Sequence, residues 1–162
     1  MKLELKHIAP YLPYDLQMVY IVRGEIIGAG NLNRVSINRD ENHPIRYDIN
    51  YNDAVHEWMF KPILKPISSM TKEEAYEFGI LLMGEADMKD KEIGIGEMRL
   101  MGATYPTIVY KDKEDEEYSI TIQFSSVGIS GIDLVPYEAY EWLFDHHFDV
   151  FNLIENNLAI AK

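Results

Sequence analysis

The sequence predicts an α+β fold built from antiparallel strands and hairpins with two or three helices, one of them in a C-terminal helical segment. Three observations lead there: short apolar–polar alternations in the N-terminal third, a later pair of strand-type runs joined by a charged turn, and well-signalled helices between and after them. After a Pro- and Tyr-containing entry at residues 8–14, residues 16–22 predict a strand, Arg23-Gly24 a turn and residues 25–29 the returning strand. Residues 34–38 and 45–50 alternate in the same way and predict further short strands, so this third reads as a small antiparallel meander. Residues 61–67 contain Pro62 and Pro66, which argue for extended chain rather than helix.

The clearest helix start follows. In Thr71-Lys72-Glu73-Glu74 the Thr71 hydroxyl can accept from the Glu74 N–H while the Glu74 carboxylate reaches back, a capping box. The helix is expected to run to about Met83, with Ala75, Phe78, Leu81 and Leu82 on its apolar face and Gly84 as its stop. Residues 104–110 and 118–124 read as two strands of a hairpin; in the second, Tyr118, Ile120, Ile122 and Phe124 share one face, and Ser119, Thr121 and Gln123 the other. A second helix is expected from Pro136 through Tyr140, Leu143, Phe144 and His147. Asp149 is positioned to cap a last short helix over residues 150–155, ending at Asn156-Asn157, where Asn tolerates the left-handed conformation.

The chain has 162 residues and a 47% hydrophobic share, which fit one globular domain over residues 1–162. There is no cysteine, so disulfides, thiolate metal sites and a Cys nucleophile are excluded. Apolar runs such as residues 80–83 are far short of a bilayer span, and residues 1–6 alternate charge with Leu, unlike a signal peptide. The expectation is a soluble intracellular protein with no membrane partner.

Fifteen basic side chains face 27 acidic ones, giving a net charge of −12. Residues 1–66 hold 8 basic and 8 acidic groups, whereas residues 67–162 hold 7 and 19. Such a field repels nucleic-acid phosphates and favours a partner with a basic surface. The densest run, Lys111-Asp112-Lys113-Glu114-Asp115-Glu116-Glu117, offers Asp112, Glu114, Asp115, Glu116 and Glu117 as a candidate interaction surface. It is not a calcium loop, because counting from Asp112 places Glu117 where the turn glycine belongs.

Motifs for chemistry are weak. Gly28-Ala29-Gly30 and Gly94-Ile95-Gly96 lack the third glycine of a dinucleotide fingerprint, with Asn33 and Arg99 in its place. His146 and His147 are adjacent, so on a helix they point about 100° apart rather than toward one metal. Ser130, in Gly128-Ile129-Ser130-Gly131, is not in a nucleophile elbow, and His43 and His56 stand alone. No catalytic, cofactor-binding or metal-binding residue is assigned, and no cofactor is expected. Eleven Tyr, six Phe and two Trp supply area for a core and for interface anchors.

Three blocks carry a resemblance: Lys6-His7-Ile8-Ala9-Pro10-Tyr11-Leu12-Pro13-Tyr14, then Lys61-Pro62-Ile63-Leu64-Lys65-Pro66-Ile67-Ser68 with Thr71-Lys72-Glu73, and residues 147–160 from His147-Phe148-Asp149 to Leu158-Ala159-Ile160. In this order, over about a fifth of the chain, they resemble a family of small uncharacterised proteins from phages, prophages and mobile elements of Bacteroidetes bacteria. Asn157 stands where that pattern has Gly, and an acidic extension often follows the position of Lys162. The resemblance implies a phage setting and lends no catalytic residue. The combined expectation is a non-enzymatic accessory protein binding a host or phage macromolecule, in its sharper form an acidic inhibitor of a nucleic-acid-acting or defence protein. The alternative is a small-molecule or nucleotide-binding protein or enzyme of phage origin.

Overall fold

The computed structural model describes residues 3–37, 45–49, 59–100, 102–114, 119–125 and 128–162. The chain forms two compact units, residues 1–64 with 153–162 and residues 65–152. Both are antiparallel-rich sheets with helices, so the fold is α+β. His43, His56 and the tip residues Asp115, Glu116, Glu117 and Tyr118 lie outside the described residues.

The first unit opens with α1 (Leu5–Ile8) and a 3-10 turn (Ala9–Tyr14), which the sequence had marked only as an entry. Its strands are β1 (Gln17–Val22), β2 (Glu25–Ile37), β3 (Ile45–Ile49), β4 (Met59–Leu64) and β9 (Ile160–Ala161), in the order β3-β2-β1-β4-β9. Arg23 and Gly24 both take positive φ, 50° and 87°, the two-residue turn that matches the twist of a hairpin. The expected strands at 25–29 and 34–38 are one strand of 13 residues, because β2 pairs with β1 through Asn31 and then with β3 from Leu32. Ile8, Tyr11, Leu16, Met18, Tyr20, Leu32 and Leu64 form its buried interior.

The short helix expected over residues 150–155 is absent, and turns replace it. Asn152 takes φ 54°, which no right-handed helix accommodates. Asn157 is left-handed as its side chain permits, at φ 55°, with its N–H donating to the Ile154 carbonyl and that of Leu158 to the Leu153 carbonyl. The chain then closes the sheet as β9, parallel to β4.

The second unit holds β5 (Lys91–Leu100), β6 (Ala103–Asp112), β7 (Ser119–Ser125) and β8 (Gly128–Ser130) in the order β5-β6-β7-β8, all antiparallel. Helices α2 (Lys72–Met83), α3 (Glu85–Met88) and α4 (Tyr137–Asp145) accompany it. Ala75 and Phe78 of α2 and Ala139 and Leu143 of α4 share one buried cluster with Ile108, Tyr110, Ile122 and Phe124 of the sheet. The β7 alternation therefore holds where it is described, since Ile122 and Phe124 are buried. The capping box forms as read: Glu74 N donates to Thr71 Oγ1 at 3.1 Å and Thr71 N to Glu74 Oε2 at 2.9 Å. On α2 the buried face is Ala75, Phe78 and Gly79, with Leu81 and Leu82 only partly covered. Pro136 sits just before α4 with extended backbone rather than inside it.

Candidate functional site

The charge asymmetry follows the two compact units. Residues 65–152 carry 18 acidic and 7 basic side chains, while residues 1–64 with 153–162 carry 9 and 8. The second unit thus holds −11 of the −12. Within it, the exposed Tyr137 has its hydroxyl pKa raised by the Glu141 carboxylate one turn along α4.

Of the candidate acidic surface, the structure places Asp112 and Glu114. Asp112 ends β6 and is spent on local structure: Oδ2 accepts from Lys91 Nζ at 3.0 Å and Oδ1 from the Glu114 N–H at 2.9 Å. The Lys91 side chain is only 8% exposed, so this pair is screened less than a surface one. Glu114 is exposed.

Lys91 leads from that pair into a groove of about 700 Å³ between the outer face of α2 and the start of β5. Lys72, Glu73, Tyr76 and Glu77 line one wall, and Lys91, Glu92 and Ile93 the other. Glu73, Glu77 and Glu92 are exposed and join no ion pair among the described residues. With Lys91 neutralised by Asp112, the remaining charges are three carboxylates against Lys72, so the groove is acidic. Its geometry suits recognition of a cationic group flanked by apolar area from Tyr76 and Ile93.

The groove lay outside the sequence reading for a definite reason. The α2 wall is simply the polar side of a helix whose apolar side was legible, and polar sides look alike. The β5 wall is hidden by Gly94 and Gly96, which weaken a strand pattern and imitate part of a dinucleotide fingerprint. Both glycine pairs lie within strands, Gly28 and Gly30 in β2 and Gly94 and Gly96 in β5, neither at a helix start.

The adjacent histidines have structural roles. His146 Nδ1 lies 2.8 Å from the Trp142 carbonyl oxygen, and its ring stacks on the Trp142 indole with centroids 4.0 Å apart. His147, at φ 57°, is the left-handed residue that closes α4: its N–H donates to the Phe144 carbonyl, and that of Phe148 to the Leu143 carbonyl. The His147 carbonyl then accepts from Lys65 N, and Lys65 O from Asp149 N. Lys65 Nζ also pairs with Glu74 Oε1 at 2.8 Å and sits 4.9 Å from the Phe148 ring centroid. Although burial acts to raise Glu74, the hydrogen bonds from Lys65 and Thr71 outweigh it and hold the carboxyl below its usual range. Ser130 is exposed on β8. Among the described residues no group of three or more His, Asp or Glu side chains is arranged to hold a metal ion, and no helix is long and apolar enough to cross a membrane.

Comparison with protein-family models, with curated proteins and with solved structures finds no match to this chain.

Proposed function

We propose that this protein is a non-catalytic binding protein of phage or mobile-element origin, acting in the bacterial cytoplasm, whose acidic unit engages a basic surface on a host or phage protein. The observation that carries the reading is the segregation of charge, −11 in residues 65–152 against −1 in the remainder. A uniformly acidic surface serves solubility alone, whereas charge concentrated in one compact unit steers a partner of opposite sign toward it. The sharper form is mimicry of nucleic-acid phosphate: carboxylates occupying the basic groove of a nuclease or defence protein.

The test is capture with the tagged chain from host lysate, with and without phage infection, at low and moderate salt, read by mass spectrometry. A stoichiometric basic protein that is lost as salt rises supports the reading. Partners that are acidic, or that are retained equally at both salts, count against it.

A second reading, small-molecule binding, rests on the groove of about 700 Å³ between α2 and β5. Its carboxylates Glu73, Glu77 and Glu92, which join no ion pair among the described residues, disfavour phosphorylated ligands, so cationic small molecules are the class to screen. A saturable thermal shift with such a compound supports it.

A further inference from the structure

We propose that the α2/β5 groove is a strand-addition site: an extended basic segment of the partner pairs with β5, an edge strand among the described residues, while its cationic side chains meet Glu73 and Glu77. This rests on the reading above that the partner is basic, and adds where and in what conformation it binds.

The backbone argument comes first. A sheet edge presents unpaired N–H and C=O groups, and proteins that must not bind there shorten, bulge or interrupt it with proline. β3, β8 and β9 are edges of five, three and two residues. β5 is different: it runs ten residues as the edge partner of β6, in register from Lys91↔Asp112 to Leu100↔Ala103 without a shift, and contains no proline. Of its two cations, Lys91 is held by Asp112 and so does not guard the edge, and the exposed Arg99 lies near the far end of the strand from the groove.

The side chains then select the occupant. The groove beside the first residues of β5 is lined by β5 and α2 alone, the arrangement in which an added strand gains main-chain hydrogen bonds from one wall and side-chain contacts from the other. Its exposed charge is Glu73, Glu77 and Glu92 against Lys72, which favours Lys or Arg on the incoming segment. Farther along the same strand Met98 and Leu100 are 39% and 48% exposed, giving apolar area for alternate side chains of the segment. A second copy of β5 is a poorer match than a basic segment, since its Lys91 and Arg99 are offset by Glu92 and Glu97 and it brings no net positive charge to the groove.

The experiment uses the full chain, isotopically labelled, titrated with an alternating Lys-Val peptide of about seven residues, a usual strand length. Two controls are its Glu-Val counterpart and a Lys-Val peptide N-methylated at every amide, which keeps the charge but has no main-chain N–H to donate on either edge. The expected result is amide shifts confined to residues 72–77 and 91–100 and slowed amide exchange along β5, with neither control binding. Glu73→Gln with Glu77→Lys should weaken binding at least about tenfold, and Glu73→Gln alone reads the stability cost of removing a charge from the first turn of α2. The proposal is overturned if the Lys-Val peptide shifts other residues or none, if either control binds equally, or if β5 becomes protected with rising protein concentration alone. If it is overturned while salt-sensitive capture of a basic protein persists, the site falls and the functional reading stands.

Discussion

Substituting Gly79 by Ala sets two effects of known sign against each other. In a helix interior the change ordinarily stabilises by about 1 kcal/mol. Here, however, the added Cβ would stand 2.5 Å from Met88 Sδ, 2.6 Å from Met88 Cε and 2.8 Å from Tyr110 Cε1. Ordinary carbon contacts are about 3.5–4.0 Å, so each neighbour must retreat by roughly 1 Å. Met88 is fully buried, and the Tyr110 ring is tethered because its hydroxyl donates to the Ala75 carbonyl at 2.8 Å. Overpacking of this kind costs about 2–3 kcal/mol, leaving a net destabilisation of about 1–2 kcal/mol. The assay is urea unfolding of the full chain followed by Trp142 fluorescence in a Trp58→Phe background. Adding Met88→Ala should recover part of the loss, with the double variant less damaged than the sum of the singles by about 1 kcal/mol. A raised urea midpoint for Gly79→Ala would refute the reasoning, showing that Met88 and Tyr110 yield and that close packing at Gly79 does not fix α2 on the sheet.

Other outcomes follow from the same kind of accounting. Gly131→Ala should destabilise by about 3 kcal/mol or more, since φ is 100° and the new Cβ would fall on the Thr121 carbonyl; thermal melting reads it. Asn157→Gly relaxes a left-handed backbone but removes the 2.6 Å bond that Asn157 Oδ1 accepts from Lys61 Nζ, on a residue only 9% exposed, so a net loss of about 1 kcal/mol is expected by urea titration. His7 is buried, its Nδ1 accepts from the Glu4 N–H, and burial first and the Lys6 charge second hold its pKa below the ordinary value. The unfolded chain therefore binds this proton before the folded one. Stability from His7 is full above about pH 6.5 and is lost as pH falls toward the lower folded value. Melting curves between neutral and mildly acidic pH should show this slope in wild type and a shallower one in His7→Gln.

Much of the fold was legible because the deciding signals are local. Thr71 and Glu74 lie three residues apart and satisfy each other's backbone groups whatever surrounds them. Arg23-Gly24 fixes a hairpin by its own conformation, and Ile122 and Phe124 mark the inner face of β7 by alternation alone. What could not be read depends on distant partners. β2 is continuous because two different strands pair with its halves. Residues 150–155 carry helix-compatible residues, yet the chain turns at Asn152 and leaves as β9 beside β4. Of the candidate site, the sequence showed the acidity but not its geometry. Asp112 looked like surface charge and is committed to Lys91, whereas Glu73, Glu77 and Glu92 acquire a shared role only when α2 is laid beside β5.

The central claim, that the acidic second unit recruits a basic partner, is tested most directly by the salt dependence of affinity for the captured partner once purified. Calorimetry would compare wild type with a variant carrying Glu73→Gln, Glu77→Gln, Glu92→Gln and Glu114→Gln. Between about 50 and about 200 mM salt, wild-type affinity should fall at least about tenfold, whereas the variant should bind more weakly at low salt and lose much less as salt rises. Equal affinity and equal salt dependence for the two proteins would contradict the account.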